Sequence, residues 1–399
     1  MSSSISNRPP VNGAANHREG TMRTDLILED TTLRDGEQTP GVALSAAKKL
    51  EILDALIAAG VKWIEPGIPA MGGEEVRTLR AMLERRDEVT LIGWNRGVAD
   101  DIQRSIDLGF RAIHIGLPTS DNHLKNSVRK DRGWLMSAAR DLVKLAKDQG
   151  CFVSISAEDV GRTEVGFLQE YAVAVTEAGA NRLRLSDTIG ILNPQAYGDR
   201  VRAVSAVTSI DLQAHCHNDF GLAVANTLAA IEAGVRYFHV TVNGIGERAG
   251  MADLAQVVMC LRQWYGVDLG IDTRRLTGLA RLVSQACKAP MAPWQPVVGP
   301  NVFAHESGIH TAGMLRDTST FEPFDPASVG GERQLLVGKH SGRAVIKAVL
   351  GEAAQDMSNA TLDLLLERVR QEAIDTGAAI EPTRLRWMCE ELATAVDAV

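Results

Sequence analysis

The sequence lacks the features that mark several classes of protein. Its five cysteines, at positions 151, 216, 260, 287 and 389, show no paired spacing, so we expect reduced thiols and a cytoplasmic location. No apolar run approaches the ~20 residues that a transmembrane helix needs. The N-terminal region has no charged and apolar segments in the order of a secretion signal. These absences favour a protein that neither spans a membrane nor depends on disulfide bonds.

Positive charge is also limited. Lysine and arginine total 42 against 50 acidic residues, which gives a formal net charge of −8. A negative chain without a dense basic run is not expected to bind nucleic acid. Residues 1–21 are rich in Ser, Asn, Gly and Pro and are predicted to be a disordered leader, with Met22 as a second candidate start.

From residue 26 to 265, short apolar runs typical of β-strands alternate with amphipathic segments typical of helices. Many of the helical segments stop at a glycine, such as Gly60, Gly109 and Gly234. Eight such units match the size of a (β/α)8 TIM barrel. An open doubly wound sheet is the alternative, but no G-x-G-x-x-G follows the first strand. The sequence therefore predicts an α/β fold with a catalytic barrel over residues 22–288.

The alternation of strand and helix signals ends after the predicted barrel. Prolines at positions 290, 293, 296 and 300 interrupt the chain, and a segment rich in glycine, histidine and charge follows. A connection of this length that contains His305 and His310 is more typical of a functional segment than of a plain linker. We expect a linker or lid over residues 289–345 and a smaller, mainly helical C-terminal subdomain over residues 346–399.

The clearest candidate site follows the seventh predicted strand. His215 and His217 are two residues apart, so a strand would point both imidazoles to one side. Asp35, at the end of the first strand, is the candidate carboxylate, and Asn243 after the eighth strand could add an oxygen. Such a set suits a divalent metal, Mg, Mn, Co or Zn. A structural H-x-H pair is the alternative.

Polar residues also stand at the ends of other predicted strands. Any one of them could be a helix cap, but their joint placement predicts a polar cup at the carboxyl end of the barrel. They are Arg34, Ser154, Ser156, Glu158, Arg162 and Thr188.

Four ordered motifs carry a family resemblance, which extends from about residue 25 to 345. They are TTLRDGEQ at 31–38, HCHND at 215–219, NGIGERAG at 243–250 and HESGIH at 305–310. They resemble the signatures of the isopropylmalate/homocitrate synthase family of metal-dependent acyl-CoA condensing enzymes. Further segments, such as Gly67–Gly72, resemble the homocitrate synthases associated with nitrogenase cofactor assembly.

The resemblance implies a Claisen condensation of acetyl-CoA, the co-substrate, with a 2-oxo acid, followed by thioester hydrolysis. Asp35, His215 and His217 would hold the metal, with Asn243 a weaker fourth candidate. The resemblance also implies a homodimer with shared active sites, in which the segment after the barrel reaches the partner subunit.

The resemblance also implies roles for the other polar residues. Arg34 would stabilise developing negative charge, and Thr188 would bind the substrate carboxylate. His310, assisted by Glu158, would act as the general base.

The polar residues Ser154, Ser156 and Arg162 disfavour the branched substrate of an isopropylmalate synthase. We expect a homocitrate synthase-like reaction with 2-oxoglutarate. The alternative is a 2-phosphonomethylmalate synthase that uses phosphonopyruvate, and a citramalate synthase is disfavoured. A hydroxyacyl-CoA lyase on the same barrel is a further alternative, but residues 243–253 contain no cysteine that could serve it. The last alternative is a barrel that binds a metal but catalyses no reaction.

Overall fold

The structure, a computed structural model, describes residues 23–396. The predicted leader and Met22 lie outside the described residues. The chain forms two compact units, one that ends at Met291 and one that begins at Ala292. None of the helices described is long and apolar enough to cross a membrane.

Within the described part of the first unit, eight parallel strands pair in chain order, and the first also pairs with the last. The sheet is therefore a closed barrel, which confirms the predicted TIM barrel. The strands are β1 (Ile27–Asp30), β2 (Trp63–Ile64), β3 (Thr90–Arg96), β4 (Ala112–Gly116), β5 (Phe152–Glu158), β6 (Arg182–Asp187), β7 (Asp211–Cys216) and β8 (Tyr237–Val240).

Helices follow the strands and are capped by local polar residues. The Ser45 side chain accepts a hydrogen bond from the Lys48 amide at the start of the first helix, and Gly109 ends the third in the left-handed conformation. The helices of this unit are α1 (Ala46–Ala58), α2 (Gly73–Met82), α3 (Ala99–Leu108), α4 (Asp121–His123), α5 (Arg132–Asp148), α6 (Val165–Glu177), α7 (Pro194–Ser205), α8 (Ala223–Glu232), α9 (Leu254–Tyr265) and α10 (Leu276–Cys287).

The two faces of the strands differ in chemistry. On β6, Leu183 and Leu185 alternate with Arg182 and Arg184, and all four side chains are buried. Because successive side chains in a strand point to opposite faces, the leucines face the helices and the arginines face the barrel interior. The interior is therefore polar as well as buried, and its charged groups must be paired with one another.

The second unit has an apolar core of its own, which includes Val337, Val345, Leu365 and Leu385. The sequence pattern does not indicate the helix over residues 343–350, because eight residues give little more than two turns of periodicity. The elements of this unit are β9 (Ala304–His305), α11 (Gly308–Met314), β10 (Gln334–Leu335), α12 (Arg343–Leu350), α13 (Asn359–Thr376) and α14 (Pro382–Val396), and β9 pairs with β10.

Candidate active site

The structure brings Asp35, His215 and His217 together at the carboxyl ends of β1 and β7. Their ligand atoms all lie within 4.8 Å of one another. His215 Nε2 is 3.2 Å from His217 Nε2 and 3.5 Å from Asp35 Oδ2. Two imidazole nitrogens and a carboxylate that converge in this way form a donor set for a divalent cation.

The polar atoms around this cluster are also consistent with a bound cation. In the part of the chain that the structure describes, Asp35 Oδ1 is buried and has no hydrogen-bond partner. An unpaired buried carboxylate oxygen is costly, because it has lost its water without gaining a partner. Burial lowers the pKa of His217 and holds the pKa of His215 well below its usual range, so both rings are neutral, as metal ligands must be. The residues therefore fit a metal ion.

A chain of buried hydrogen bonds orients His215. Its Nδ1 lies 2.8 Å from Nδ1 of His239, and His239 Nε2 lies 2.7 Å from Glu29 Oε1. Burial lowers the pKa of His239 to about 4, so this ring is neutral and has one N–H. The carboxylate can only accept, so that N–H is at Nε2 and Nδ1 accepts from His215. His215 therefore presents the Nε2 lone pair to the cluster.

Arg34 lies beside the cluster and is almost completely buried. Its guanidinium forms an ion pair with Glu65, and its Nη1 is 2.9 Å from Asp35 Oδ2. The guanidinium also lies over the Trp94 ring, 5.5 Å from the centroid. A fixed positive charge next to the metal ligands can stabilise an anion that forms there.

Glu158 ends β5 and faces the same space. Burial raises its pKa, and the nearby Arg34 only partly offsets this effect. A carboxyl group with a raised pKa holds a proton more readily than an exposed carboxyl group does, so it can accept a proton and return it. Glu158 is therefore a candidate for proton transfer.

A cavity of about 170 Å³ opens beside these groups. Apart from Trp94, every lining residue has a charged, imidazole, hydroxyl or amide side chain, and the same strand ends supply both metal-ligand candidates and hydrogen-bonding groups. The lining residues are Arg34, Asp35, Gln38, Trp94, His114, Ser156, Glu158, Arg184, Ser186, Thr188, His215, His217, Glu247 and Arg248.

The loop over residues 243–250 closes one side of the cavity. Gly250 has φ +85°, and a Cβ there would lie 1.9 Å from the Gly244 carbonyl oxygen, so no other residue fits without a backbone shift. Arg248 donates to Asp219 Oδ1 at 2.8 Å and to the Thr188 carbonyl at 2.6 Å. These contacts hold Glu247 and Arg248 at the cavity wall.

Several predicted site residues do not line the cavity. Ser154 lies deeper in the barrel, where it bonds His114 and Arg182. Arg162 Nε donates to Asp159 Oδ2 at 2.8 Å, because a carboxylate three residues away captures its guanidinium.

Asn243 and His310, which were also predicted to be site residues, do not line the cavity either. Asn243 has φ 61°, and its Nδ2 donates to the Ala280 carbonyl at 2.8 Å, which holds the amide against α10. His310 belongs to the second unit, where it is exposed and stacks on Phe321 with ring centroids 4.2 Å apart. Thr188 and Ser156 do line the cavity.

Other lining residues were given no role in the sequence-based prediction, although Gln38, Glu247 and Arg248 lie within its motifs. His114, Arg184 and Ser186 are buried in strands, and Gln38, Trp94, Glu247 and Arg248 complete the set. The alternation of Arg182, Arg184 and Ser186 along β6 was the available signal, because charged residues at a period of two in a buried strand share the interior face.

The chain matches the HMGL-like family over residues 25–283 and the homocitrate synthase post-HMGL domain-like family over residues 297–376. It is 61% identical to a 2-phosphonomethylmalate synthase of Streptomyces rubellomurinus over 364 residues, which cover 91% of this chain and 98% of that protein. A homocitrate synthase of Frankia alni is 47% identical over 332 residues, with 82% of this chain and 94% of that protein covered.

Solved structures show the same fold at lower identity. The HMG-CoA lyase of Bacillus subtilis superposes with a TM-score of 0.62 at 18% identity, and the match covers 68% of this chain and 96% of the lyase. The lyase of Pseudomonas aeruginosa gives a TM-score of 0.62 at 20% identity, with 68% of this chain and 95% of that chain covered. At this identity the likeness shows the fold alone.

Proposed function

We propose that this chain, which belongs to the HMGL-like family and also carries a homocitrate synthase post-HMGL domain, condenses acetyl-CoA with phosphonopyruvate. The observation that carries the proposal is the 61% identity, over nearly the whole of both chains, to a 2-phosphonomethylmalate synthase. The homocitrate synthases that we expected from the sequence are more distant, at 47% and 42% identity. The relatives thus favour the alternative substrate over 2-oxoglutarate.

The reaction joins the acetyl methyl carbon to C2 of the 2-oxo acid. The methyl group gives up a proton, the new bond forms, and the former keto oxygen becomes a hydroxyl. Water then cleaves the thioester, which releases CoA and leaves a carboxylate. The enzyme is an acyltransferase in which the acyl group is converted into an alkyl group on transfer.

Asp35, His215 and His217 would hold a divalent metal, Mg, Mn, Co or Zn, and Asn243 stays a weaker candidate. When bound, such a metal acts as a Lewis acid that polarises the keto group of the oxo acid. Arg34, fixed by Glu65, would stabilise negative charge on the acetyl enolate or on the new alkoxide. The Thr188 hydroxyl lines the cavity and would bind the substrate carboxylate.

Proton transfer is assigned to Glu158 and His310. The raised pKa of Glu158, which results from burial, supports its part. The exposure of His310, next to an Ile309 side chain that is 81% exposed, supports a role for this segment in a partner subunit. We therefore propose a homodimer with shared active sites in the cytoplasm.

Free-thiol release from acetyl-CoA, measured with Mg or Mn across a panel of 2-oxo acids, tests the proposal. The panel holds phosphonopyruvate, 2-oxoglutarate, oxaloacetate, 2-oxoisovalerate and pyruvate. We expect phosphonopyruvate to have the highest kcat/KM. A preference for 2-oxoglutarate would identify the enzyme as a homocitrate synthase. If no oxo acid in the panel supports thiol release, the proposed synthase function is wrong.

A further inference from the structure

A histidine inside the barrel has a ring nitrogen that no described residue satisfies. The side chain of His114, on β4, is completely buried and lines the cavity. Among the described residues, its Nε2 has no hydrogen-bond partner. Buried polar atoms are nearly always paired, so an unpaired one that faces a ligand cavity points to a missing ligand atom.

The neighbours of His114 determine that this nitrogen carries a proton. Its Nδ1 lies 2.9 Å from the Ser154 hydroxyl, and this hydroxyl oxygen accepts a hydrogen bond from Arg182 Nε at 3.0 Å. The buried hydroxyl hydrogen of Ser154 also needs an acceptor, and among the described residues His114 Nδ1 is the one bonded to it, so the hydrogen is directed to Nδ1. Burial, together with the charge of Arg184, holds the pKa of His114 well below its usual range, so the ring is neutral. The single N–H is then at Nε2, and it points at an acceptor.

The strand register places further donors near His114 and below the metal cluster. Ser186 is paired in register with His215, and Arg184 follows two residues deeper along β6, about 7 Å along the strand. Nη1 of Arg184 forms no hydrogen bond within the described barrel, although its other nitrogens bond Gln213, Glu29 and Glu65. The Ser186 hydroxyl lines the same space.

The charged groups in this part of the barrel are arginines and carboxylates in direct contact. Two completely buried glutamates, Glu29 and Glu65, are shared among three arginines. The arginines are Arg34, Arg182 and Arg184. Burial raises the pKa of Glu65, but the charges of Arg184 and Arg34 outweigh it and bring the pKa to about 2. Arg34 also pairs with Asp35, so three carboxylates match the three guanidinium groups, and Nη1 of Arg184 is the charged donor that an added anion can engage.

We propose that His114 and Arg184, with Ser186, form the subsite that receives the phosphonate group of the oxo acid. This inference rests on the proposed function, because the keto and carboxylate end of the substrate must lie at Asp35, His215 and His217. A 2-oxo acid held there would direct its third carbon into the cavity that Arg184 and Ser186 also line. A phosphonate has three acceptor oxygens, which match donors that arrive from two strands.

A pair of substrates that differ only in the distal group isolates this subsite. Pyruvate has the same keto and carboxylate groups as phosphonopyruvate but no phosphonate. The ratio of kcat/KM for phosphonopyruvate to that for pyruvate therefore measures recognition of the phosphonate. We expect His114→Phe, which keeps the ring volume and removes the donor, to lower this ratio by about 10- to 100-fold, the usual effect of a hydrogen bond to a charged group.

Three further variants separate recognition from folding. His114→Gln keeps an N–H donor, so it should recover part of the ratio. Ser154→Ala removes the group that sets the ring tautomer, so it should lower the ratio less than His114→Phe. His123→Phe is the matched control, because this histidine lies on α4 just after the same strand and does not line the cavity. It should leave the ratio unchanged.

Each outcome is decisive. If His114→Phe leaves the ratio unchanged, or lowers kcat/KM equally for both substrates, the subsite is wrong even though the enzyme uses phosphonopyruvate. If the wild type does not use phosphonopyruvate at all, the proposed function fails first. Where pyruvate turnover is too slow to measure, the inhibition constant of pyruvate against phosphonopyruvate replaces its kcat/KM in the comparison.

Discussion

The barrel contains two clusters with the composition of a metal site, and their surroundings differ. The outer cluster is Asp35, His215 and His217, and the inner cluster is Glu29, Glu65 and His239. The outer residues line the cavity, whereas the carboxylates of the inner cluster are bound by arginines. Arg182 Nη1 lies 2.6 Å from Glu29 Oε2, and Arg184 Nη2 lies 2.8 Å from Glu65 Oε1.

The difference shows that a set of ligand residues does not by itself make a metal site. In the inner cluster, guanidinium groups already neutralise both glutamates, so a cation would have to displace a buried arginine and leave its charge unpaired. In the outer cluster, Asp35 Oδ1 has no partner among the described residues. We infer that the inner cluster supports the outer one, through the hydrogen bond that His239 donates to Glu29 and the one that His215 donates to His239.

Replacement of His217 should have the largest effect, because it removes a ligand of the outer cluster. We expect His217→Ala to abolish metal-dependent turnover and stoichiometric metal binding, because it removes one of three converging donors. Isothermal titration with MnCl₂, together with thiol release from acetyl-CoA, would show both losses. Metal binding that persists in this variant would mean that the inner cluster, or another site, takes the ion.

Removal of an inner carboxylate tests the other half of the comparison. Glu29→Ala leaves Arg182 and Arg184 short of a buried counter-charge, so we expect it to lower the free energy of unfolding by about 3–5 kcal/mol. Asp25→Ala is the matched control, because Asp25 forms an exposed ion pair with Arg23 that should contribute less than about 1 kcal/mol. Urea denaturation measures both. Equal costs for the two variants would contradict a structural role for Glu29.

Arg34 contacts both clusters, through Asp35 and Glu65. We expect Arg34→Ala to lower kcat by ~10²-fold or more, because a fixed charge that stabilises a developing anion is lost. Steady-state kinetics with acetyl-CoA and the preferred oxo acid would measure this. An effect confined to KM would make Arg34 a binding residue instead.

His239 connects the two clusters, so its replacement tests whether the inner cluster orients the metal ligand His215. We expect His239→Leu to weaken metal binding by about 10- to 100-fold, the usual effect of losing a group that orients a metal ligand. Titration calorimetry with MnCl₂ gives the affinity directly, and His123→Leu serves as the control. Unchanged affinity would mean that packing alone orients His215.

The histidines of the barrel interior predict how the metal-free protein responds to acid. Burial lowers the pKa of His239 to about 4 and also lowers the pKa values of His114, His215 and His217. The unfolded chain therefore takes up protons from about pH 6.5 downward while the folded state does not, so stability is lost as the pH falls from 6.5 toward 4. Thermal unfolding at intervals of pH would show this loss. A melting temperature that stays level across that window would contradict it.

Much of the fold follows from local patterns. The alternation of strand and helix signals, with glycines such as Gly109 at the helix ends, predicted the barrel, because each βα unit is specified by its own segment. The convergence of Asp35, His215 and His217 could also be anticipated. Residues at the carboxyl ends of parallel strands meet at the same rim once the barrel closes, whatever their separation in sequence.

Other features depended on the tertiary structure. Glu29 pairs with Arg182, which is 153 residues away in the sequence, and no local pattern predicts that pairing. Likewise Asn243 and Arg162 are turned to Ala280 and Asp159, because nearby acceptors compete for their side chains.

By itself, the sequence determined the strand and helix order, the closed barrel and the rim residues, since these depend on periodicity and on strand ends. Only the tertiary structure decided which buried charges pair, which of the two clusters remains open to a ligand and that His114 directs an unpaired donor into the cavity. The physical reason is that register and barrel closure set the distances between interior side chains, and those distances decide which charges neutralise one another.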